Sequence, residues 1–199
     1  MIEKIDTRDT RVEMEREVAE CRALFEKKTR DYGTSWRILR LPSLTDQIFI
    51  KASRIRSVQE SGENRVGDDL RGEFVAMVNY AVMGLILCKE GLQDLKGQKG
   101  LRDLKRELDL PLEEVLNLYD EQTKRVLDLM MDKNHDYGEA WREMRISSMV
   151  DLILMKLLRI RQIEDNNGQT LVSEGVEGGY MDIINYSLFC LVRMSEDER

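Results

Sequence analysis

Lys51 and Arg54 stand three residues apart, as do Lys156 and Arg159, so each pair projects from one face of a helix. With Arg56 or Arg161 alongside, each set could grip phosphate, the Arg as a bidentate fork and the Lys as a compact charge. A solvated helix face is the plain alternative. A second cluster is acidic. Asp182 precedes Asn185 by one helical turn, with Glu174 and Glu177 just upstream, and three converging carboxylates could hold Mg²⁺ through oxygen ligands. Asp68, Asp69 and Glu73 stand in the corresponding stretch of the first half, but Ala76 occupies the place of Asp182, so a metal site is expected in the second half alone. The alternative is an acidic first turn followed by a buried amide that fixes register. Asn79 and Asn185 both lie in apolar runs, where an unbonded amide costs a few kcal/mol. Tyr32, Trp36, Tyr137 and Trp141 flank glycine turns and could stack a nucleobase, worth roughly 1–3 kcal/mol per base, or simply pack as core.

What positions these residues is a duplication. Asp31-Tyr32-Gly33-x-x-Trp36-Arg37 recurs 105 positions later as Asp136-Tyr137-Gly138-x-x-Trp141-Arg142, and the same offset carries Lys28, Asp46, Lys51, Arg54 and Arg56 onto Lys133, Asp151, Lys156, Arg159 and Arg161. At an offset of 106, Asn79-Tyr80 becomes Asn185-Tyr186. A period this long exceeds the roughly 20–50 residues of solenoid repeats and predicts two homologous half-domains. Each half reads as three helices. Met14, Val18, Cys21 and Phe25, and likewise Leu112, Val115, Tyr119, Thr123, Val126 and Met130, recur at steps of three and four. Gly33 and Gly138 stand where those first helices should stop. Second helices carry Ile48, Ala52 and Ile55, or Leu152, Met155 and Ile163; third helices, about Phe74–Leu87 and Tyr180–Met194, are apolar nearly all round and belong at the centre. The expected fold is an all-α bundle of two tandem half-domains with pseudo-two-fold symmetry, divided as 8–90, a linker 91–110, and 111–195. Asp46 and Asp151 are expected near helix N-termini, complementing the macrodipole.

Composition narrows the partners. The formal charge is −7, from 31 Lys and Arg against 38 Asp and Glu, which argues against a general binder of nucleic-acid backbones. Cys21, Cys88 and Cys190 are too scattered for a disulfide framework or a zinc ribbon, and the single histidine, His135, has Arg30 as its counterpart. No apolar run approaching the roughly 20 residues of a membrane span is expected, nor a signal peptide, so a cytoplasmic location is. Neither a glycine-rich phosphate loop nor a nucleophile elbow is present. A homodimer is left open.

Lys-x-x-Asp-Tyr-Gly-x-x-Trp, Asp-x-x-x-x-Lys-x-x-Arg and Asp-x-x-Asn-Tyr together resemble the nucleotide-modification-associated domain family, the first of its numbered series. Lys133, Asp136, Tyr137, Gly138, Trp141, Asp151, Lys156, Arg159, Asp182, Asn185 and Tyr186 carry the pattern in the second half; the first half carries all of it but the Asp of the last motif. The resemblance implies an all-helical fold and an association with nucleotide or DNA-base modification. The acidic third helix is also distantly similar to the all-alpha nucleoside triphosphate pyrophosphohydrolases, which hold Mg²⁺ with Glu and Asp, although no Glu-Glu-x-x-Glu stands on either first helix. Two functions are therefore expected to compete. One is a nucleotide binder, in its enzymatic form a Mg²⁺-dependent pyrophosphohydrolase-like hydrolase of nucleoside phosphates. The other is a non-catalytic helical module partnering a nucleotide-modifying enzyme.

Overall fold

A computed structural model describes residues 9–65, 67, 69–91, 108–166, 168–169 and 175–197. Among them six α-helices and two short 3₁₀ turns form, with no strand. The first half contains α1 (Thr10–Tyr32), the turn η1 (Ser35–Ile38), α2 (Leu41–Ser61) and α3 (Leu70–Glu90); the second contains α4 (Leu112–Tyr137), η2 (Ala140–Glu143), α5 (Ile146–Asp165) and α6 (Gly175–Asp197). Most of the linker lies outside the described residues. The two halves match element for element. Asp9 and Asp69 cap α1 and α3 by accepting from the backbone N–H groups of Val12 and Arg71, which satisfies donors the first turn leaves open. Gly33 and Gly138 end α1 and α4 at φ 62° and 59°, where a Cβ would be strained.

The central helices α3 and α6 pack on each other, and each is flanked by the second helix of its own half. Helices α1 and α4 close the bundle, each touching both central helices. Side chains cross the seam reciprocally: Arg56 of α2 pairs with Asp151 of α5 at 3.4 Å, and Arg161 of α5 with Asp46 of α2 at 2.6 Å. That exchange of equivalent partners is the mark of a two-fold relation. At the centre a Cβ on Gly84 would lie 2.9 Å from the Tyr180 ring, so glycine sets how closely α3 approaches α6. One polar chain spans the halves there: the Thr45 hydroxyl lies 2.7 Å from Glu164 and 2.8 Å from the Tyr180 hydroxyl.

Three expectations need correction. Helix α3 is long and apolar enough, by length and composition, to cross a membrane, because its charges, Arg71, Glu73, Lys89 and Glu90, crowd its two ends; it is mostly buried against the other helices and serves as a core helix. Asp46 and Asp151 lie beyond the first turns of α2 and α5, and their role is the cross-seam pairing. Met155 faces solvent on α5, as its counterpart Ile50 does on α2.

Candidate functional site

The second half encloses a cavity of about 460 Å³ between the C-terminal turns of α4, the turn η2 and the middle of α6. Helix α4 contributes Met130, Lys133, Asn134 and Tyr137; the η2 region Ala140, Trp141 and Met144; α6 Asp182, Asn185, Tyr186 and Phe189. The chain enters η2 through Glu139, the one non-glycine residue with positive φ (60°) among those described. This conformation costs on the order of 1 kcal/mol. It is offset by hydrogen bonds to the Glu139 carboxylate from the Thr10 hydroxyl, from Asn134 at 3.3 Å and from Arg142 at 2.6 Å. Burial would raise the Glu139 pKa, and these donors hold it below the usual carboxylate range.

Trp141 forms a wall of the cavity. Phe189 stacks on it with ring centroids 4.5 Å apart, the Arg142 guanidinium lies over it at 4.4 Å, and Asn134 accepts from its Nε1 at 3.1 Å. Its ring is therefore engaged by the protein, and the aromatic surface left toward the cavity belongs to Tyr137, 75% exposed, and Tyr186. Burial, with the nearby Asp182 charge, pushes the Tyr186 hydroxyl up in pKa and keeps it protonated. The polar end of the cavity is built by α6. Asp182 Oδ2 meets Lys156 Nζ of α5 at 2.7 Å, and Asn185 Oδ1 is buried with no hydrogen-bond partner among the described residues.

The first half holds the homologous cavity, about 310 Å³, lined at equivalent positions by Lys28, Thr29, Tyr32, Trp36, Tyr80 and Met83. It does not reach Ala76 or Asn79 of the third helix. Phe25, in place of Met130, packs against Trp36 (centroids 6.1 Å apart) and Tyr119 (4.7 Å), and Tyr119 donates to Asn79 Oδ1 at 2.8 Å while Asn79 Nδ2 donates to the Cys21 carbonyl at 3.0 Å. Asn79 is thus a bonded core amide. Glu73 supplies the acid that Ala76 lacks: it sits one turn earlier, is buried, and pairs with Lys51 at 3.0 Å and with Arg54. Its counterpart in the second half is Gly179, where a Cβ would fall 2.6 Å from Ile160. With Asp182 one turn later, only Lys156 is paired; Arg159 is exposed and has no ion pair among the described residues.

The expected phosphate-binding residues therefore divide. Arg56 and Arg161 pair across the seam, and Arg161 also lies 3.9 Å over Phe49, so neither joins the cavity. Lys51 and Arg54 are held by Glu73, and Lys156 by Asp182. Of the expected metal ligands, Glu177 and Asp182 do not converge. Glu174 and the first-half Asp68 lie outside the described residues. Glu177 pairs with Arg125 of α4 at 3.0 Å, five residues from Asp182 and so turned well around the helix. That pair is the charge-reversed counterpart of Arg71 with Glu20 in the first half, which assigns Glu177 to helix packing. Among the described residues no group of three carboxylate, His or Cys side chains could hold a metal, so the residues present do not fit a protein-built Mg²⁺ cage. Asp31 and Asp136 are exposed at the ends of α1 and α4, Tyr32 is 72% exposed, and Trp36 is half-buried.

Sequence reasoning missed Tyr119, Asn134 and the two motif arginines. Arg37 pairs with Glu90 at 2.6 Å and Arg142 with Glu196 at 2.8 Å, equivalent clasps that tie each 3₁₀ turn to the end of its third helix. Extending the repeat alignment to Glu90 and Glu196 would have exposed them. The curated proteins and the solved structures show no match to the chain. The family described as Nucleotide modification associated domain 1 matches over residues 28–87 and again over 133–194, more than half of the chain, each match opening on the lysine of the repeated motif. The chain, in two tandem copies, belongs to that nucleotide-modification-associated family.

Proposed function

We propose that the second half binds a nucleotide, with the base in the cavity between Tyr137 and Tyr186 against the Trp141 wall, and the phosphate outside it. The observation that carries this reading is the contrast of the two homologous cavities. One has its amide bonded internally by Tyr119; the other opens onto a buried, partnerless Asn185 Oδ1 beside Asp182. Its volume suits a small organic ligand, and its mixture of aromatic walls with a few polar groups at one end is what such ligands require. Among Lys133, Lys156 and Arg159, Lys133 and Arg159 have no ion pair among the described residues and are assigned the phosphate, whereas Lys156 orients Asp182. The family's link to nucleotide modification supports a nucleotide over other flat, anionic ligands.

A second reading, Mg²⁺-dependent hydrolysis of a nucleoside phosphate, rests on Asp182, the one carboxylate lining the cavity among the described residues. Mg²⁺ is commonly held by one or two carboxylates together with substrate phosphates. Both readings are tested by titrating the chain with nucleoside mono- and triphosphates, with and without Mg²⁺, while assaying release of phosphate and pyrophosphate. Saturable binding that Lys133→Ala and Arg159→Ala each weaken about tenfold, the scale of one charged hydrogen bond, supports the first reading. Release that needs Mg²⁺ and is lost in Asp182→Ala supports the second. Absence of binding to any nucleotide contradicts both.

A further inference from the structure

The internally bonded half shows what chemistry completes the open one. In the first half the buried Asn79 oxygen accepts from a neutral donor, the Tyr119 hydroxyl, at 2.8 Å. The residue 105 positions before Tyr119 is Met14, fully buried and without a side-chain donor, and Asn185 Oδ1 accordingly has no partner among the described residues. A buried carbonyl oxygen without a donor is uncommon in folded proteins and is met by an ordered water or by a bound group that displaces it. Beside it Asp182, standing where the first half has Ala76, adds a second acceptor. Lys156 engages Oδ2 of that carboxylate at 2.7 Å, and Oδ1 has no partner among the described residues. The cavity, lined also by Lys133 and Asn134, thus offers two acceptor oxygens side by side, one buried on Asn185 and one on the partly exposed carboxylate of Asp182.

Resting on the nucleotide reading above, we infer that the second-half cavity selects a base with an exocyclic amino group beside an acceptor ring nitrogen, the pattern of cytosine and adenine. The amino group has two N–H donors, one for Asn185 Oδ1 and one for Asp182 Oδ1. The Asn185 amide nitrogen supplies a donor for the ring nitrogen. Asn pairing with the amino group and ring nitrogen of adenine, and a carboxylate accepting from the cytosine amino group, are established modes of base recognition. Uracil and hypoxanthine instead turn a carbonyl oxygen toward these acceptors. A site built to receive a donor discriminates strongly against a ligand that lacks it.

The test is a calorimetric titration of the full chain with CMP against UMP and AMP against IMP, each pair differing by an amino group for an oxo group, in ribose and deoxyribose forms. The amino member of at least one pair should bind ten or more times tighter than its oxo partner. Asp182→Ala and Asn185→Leu should reduce that ratio below about threefold, while Tyr119→Phe, whose hydroxyl serves Asn79 of the first half, leaves it intact. Equal affinity within both pairs, preference for the oxo members, or failure to bind any of the four overturns this inference; nucleotide binding itself falls only if every nucleoside mono- and triphosphate also fails to bind. The wild-type comparison decides the matter even if a variant does not fold.

Discussion

The two halves share a fold and almost every motif residue, yet they treat the same asparagine in opposite ways. Asn79 is bonded at both ends of its amide and joins α3 to α1 and α4; Asn185 has a buried oxygen without a partner and faces a cavity. Two sets of exchanges accompany the difference. Tyr119 of α4 and Phe25 of α1, which pack together beside Asn79, have Met14 of α1 and Met130 of α4 as their counterparts, which replaces a hydroxyl and two aromatic rings with methionines. Glu73 is answered by Gly179 and Ala76 by Asp182, which moves the acid one turn along the helix and leaves Arg159 without it. The same repeated asparagine is thus bonded into the core in one copy and leaves its oxygen unpartnered in the other.

The largest effect should come from the asparagines themselves. Asn79→Leu strands the Tyr119 hydroxyl and the Cys21 carbonyl and should cost about 2–4 kcal/mol in chemical denaturation, whereas Asn185→Leu, which removes an oxygen already without a partner, should fall within about 1 kcal/mol of wild type. Equal losses would break the comparison. Next in size is the exchanged acid. Gly179→Ala forces a Cβ against Ile160 and should cost about 1–3 kcal/mol. Glu73→Ala should cost about 1–2 kcal/mol, because Lys51 and Arg54 retain partial access to water.

A third prediction concerns acid. Burial would raise the Glu17 pKa, but hydrogen bonds from Arg16 and Arg71 overcome it and hold the carboxyl below its usual range; the second half has the neutral Gln122 in its place. A depressed carboxylate stabilises the fold above the unfolded-state pKa, and that contribution is lost as pH falls through the folded-state value. Glu17→Gln should therefore lower stability at pH 7 by on the order of 1–3 kcal/mol and match wild type in strong acid. A constant gap across pH would mean that the charge of Glu17 is not what matters. The smallest effect lies at the seam: Arg161→Ala, which loses an ion pair and the Phe49 contact, should cost about 1 kcal/mol, and Arg56→Ala, at a longer and more exposed pair, less than that.

Much of the architecture was legible because duplication and apolar patterning are local properties of the chain. The stripes of α1 and α4, the stops at Gly33 and Gly138, and the central α3 and α6 all follow from spacing. The site was legible in composition but not in pairing. Lys156 with Asp182 could be anticipated from an acid in an apolar helix, yet Arg56 and Arg161 choose partners from the opposite half, which only the packing of α2 on α5 determines. Trp141 was open to either base stacking or core packing, because spacing cannot show that Phe189 and Arg142 already engage its ring. Glu177 was misread for a different reason. Its exchange with Arg71, matched by Arg125 for Glu20, was visible in the repeat alignment but hidden by the change of sign.

Each half contains one tryptophan, Trp36 or Trp141, so the chain reports on its own asymmetry. The most direct test is a fluorescence titration of wild type and of Trp36→Phe with a nucleotide that binds, paired with calorimetric stoichiometry. One nucleotide should bind per chain, and the full emission change should persist when Trp141 is the only tryptophan left. Two equivalent sites per chain, or a signal that disappears with Trp36, would contradict the claim that the second half alone keeps the open site.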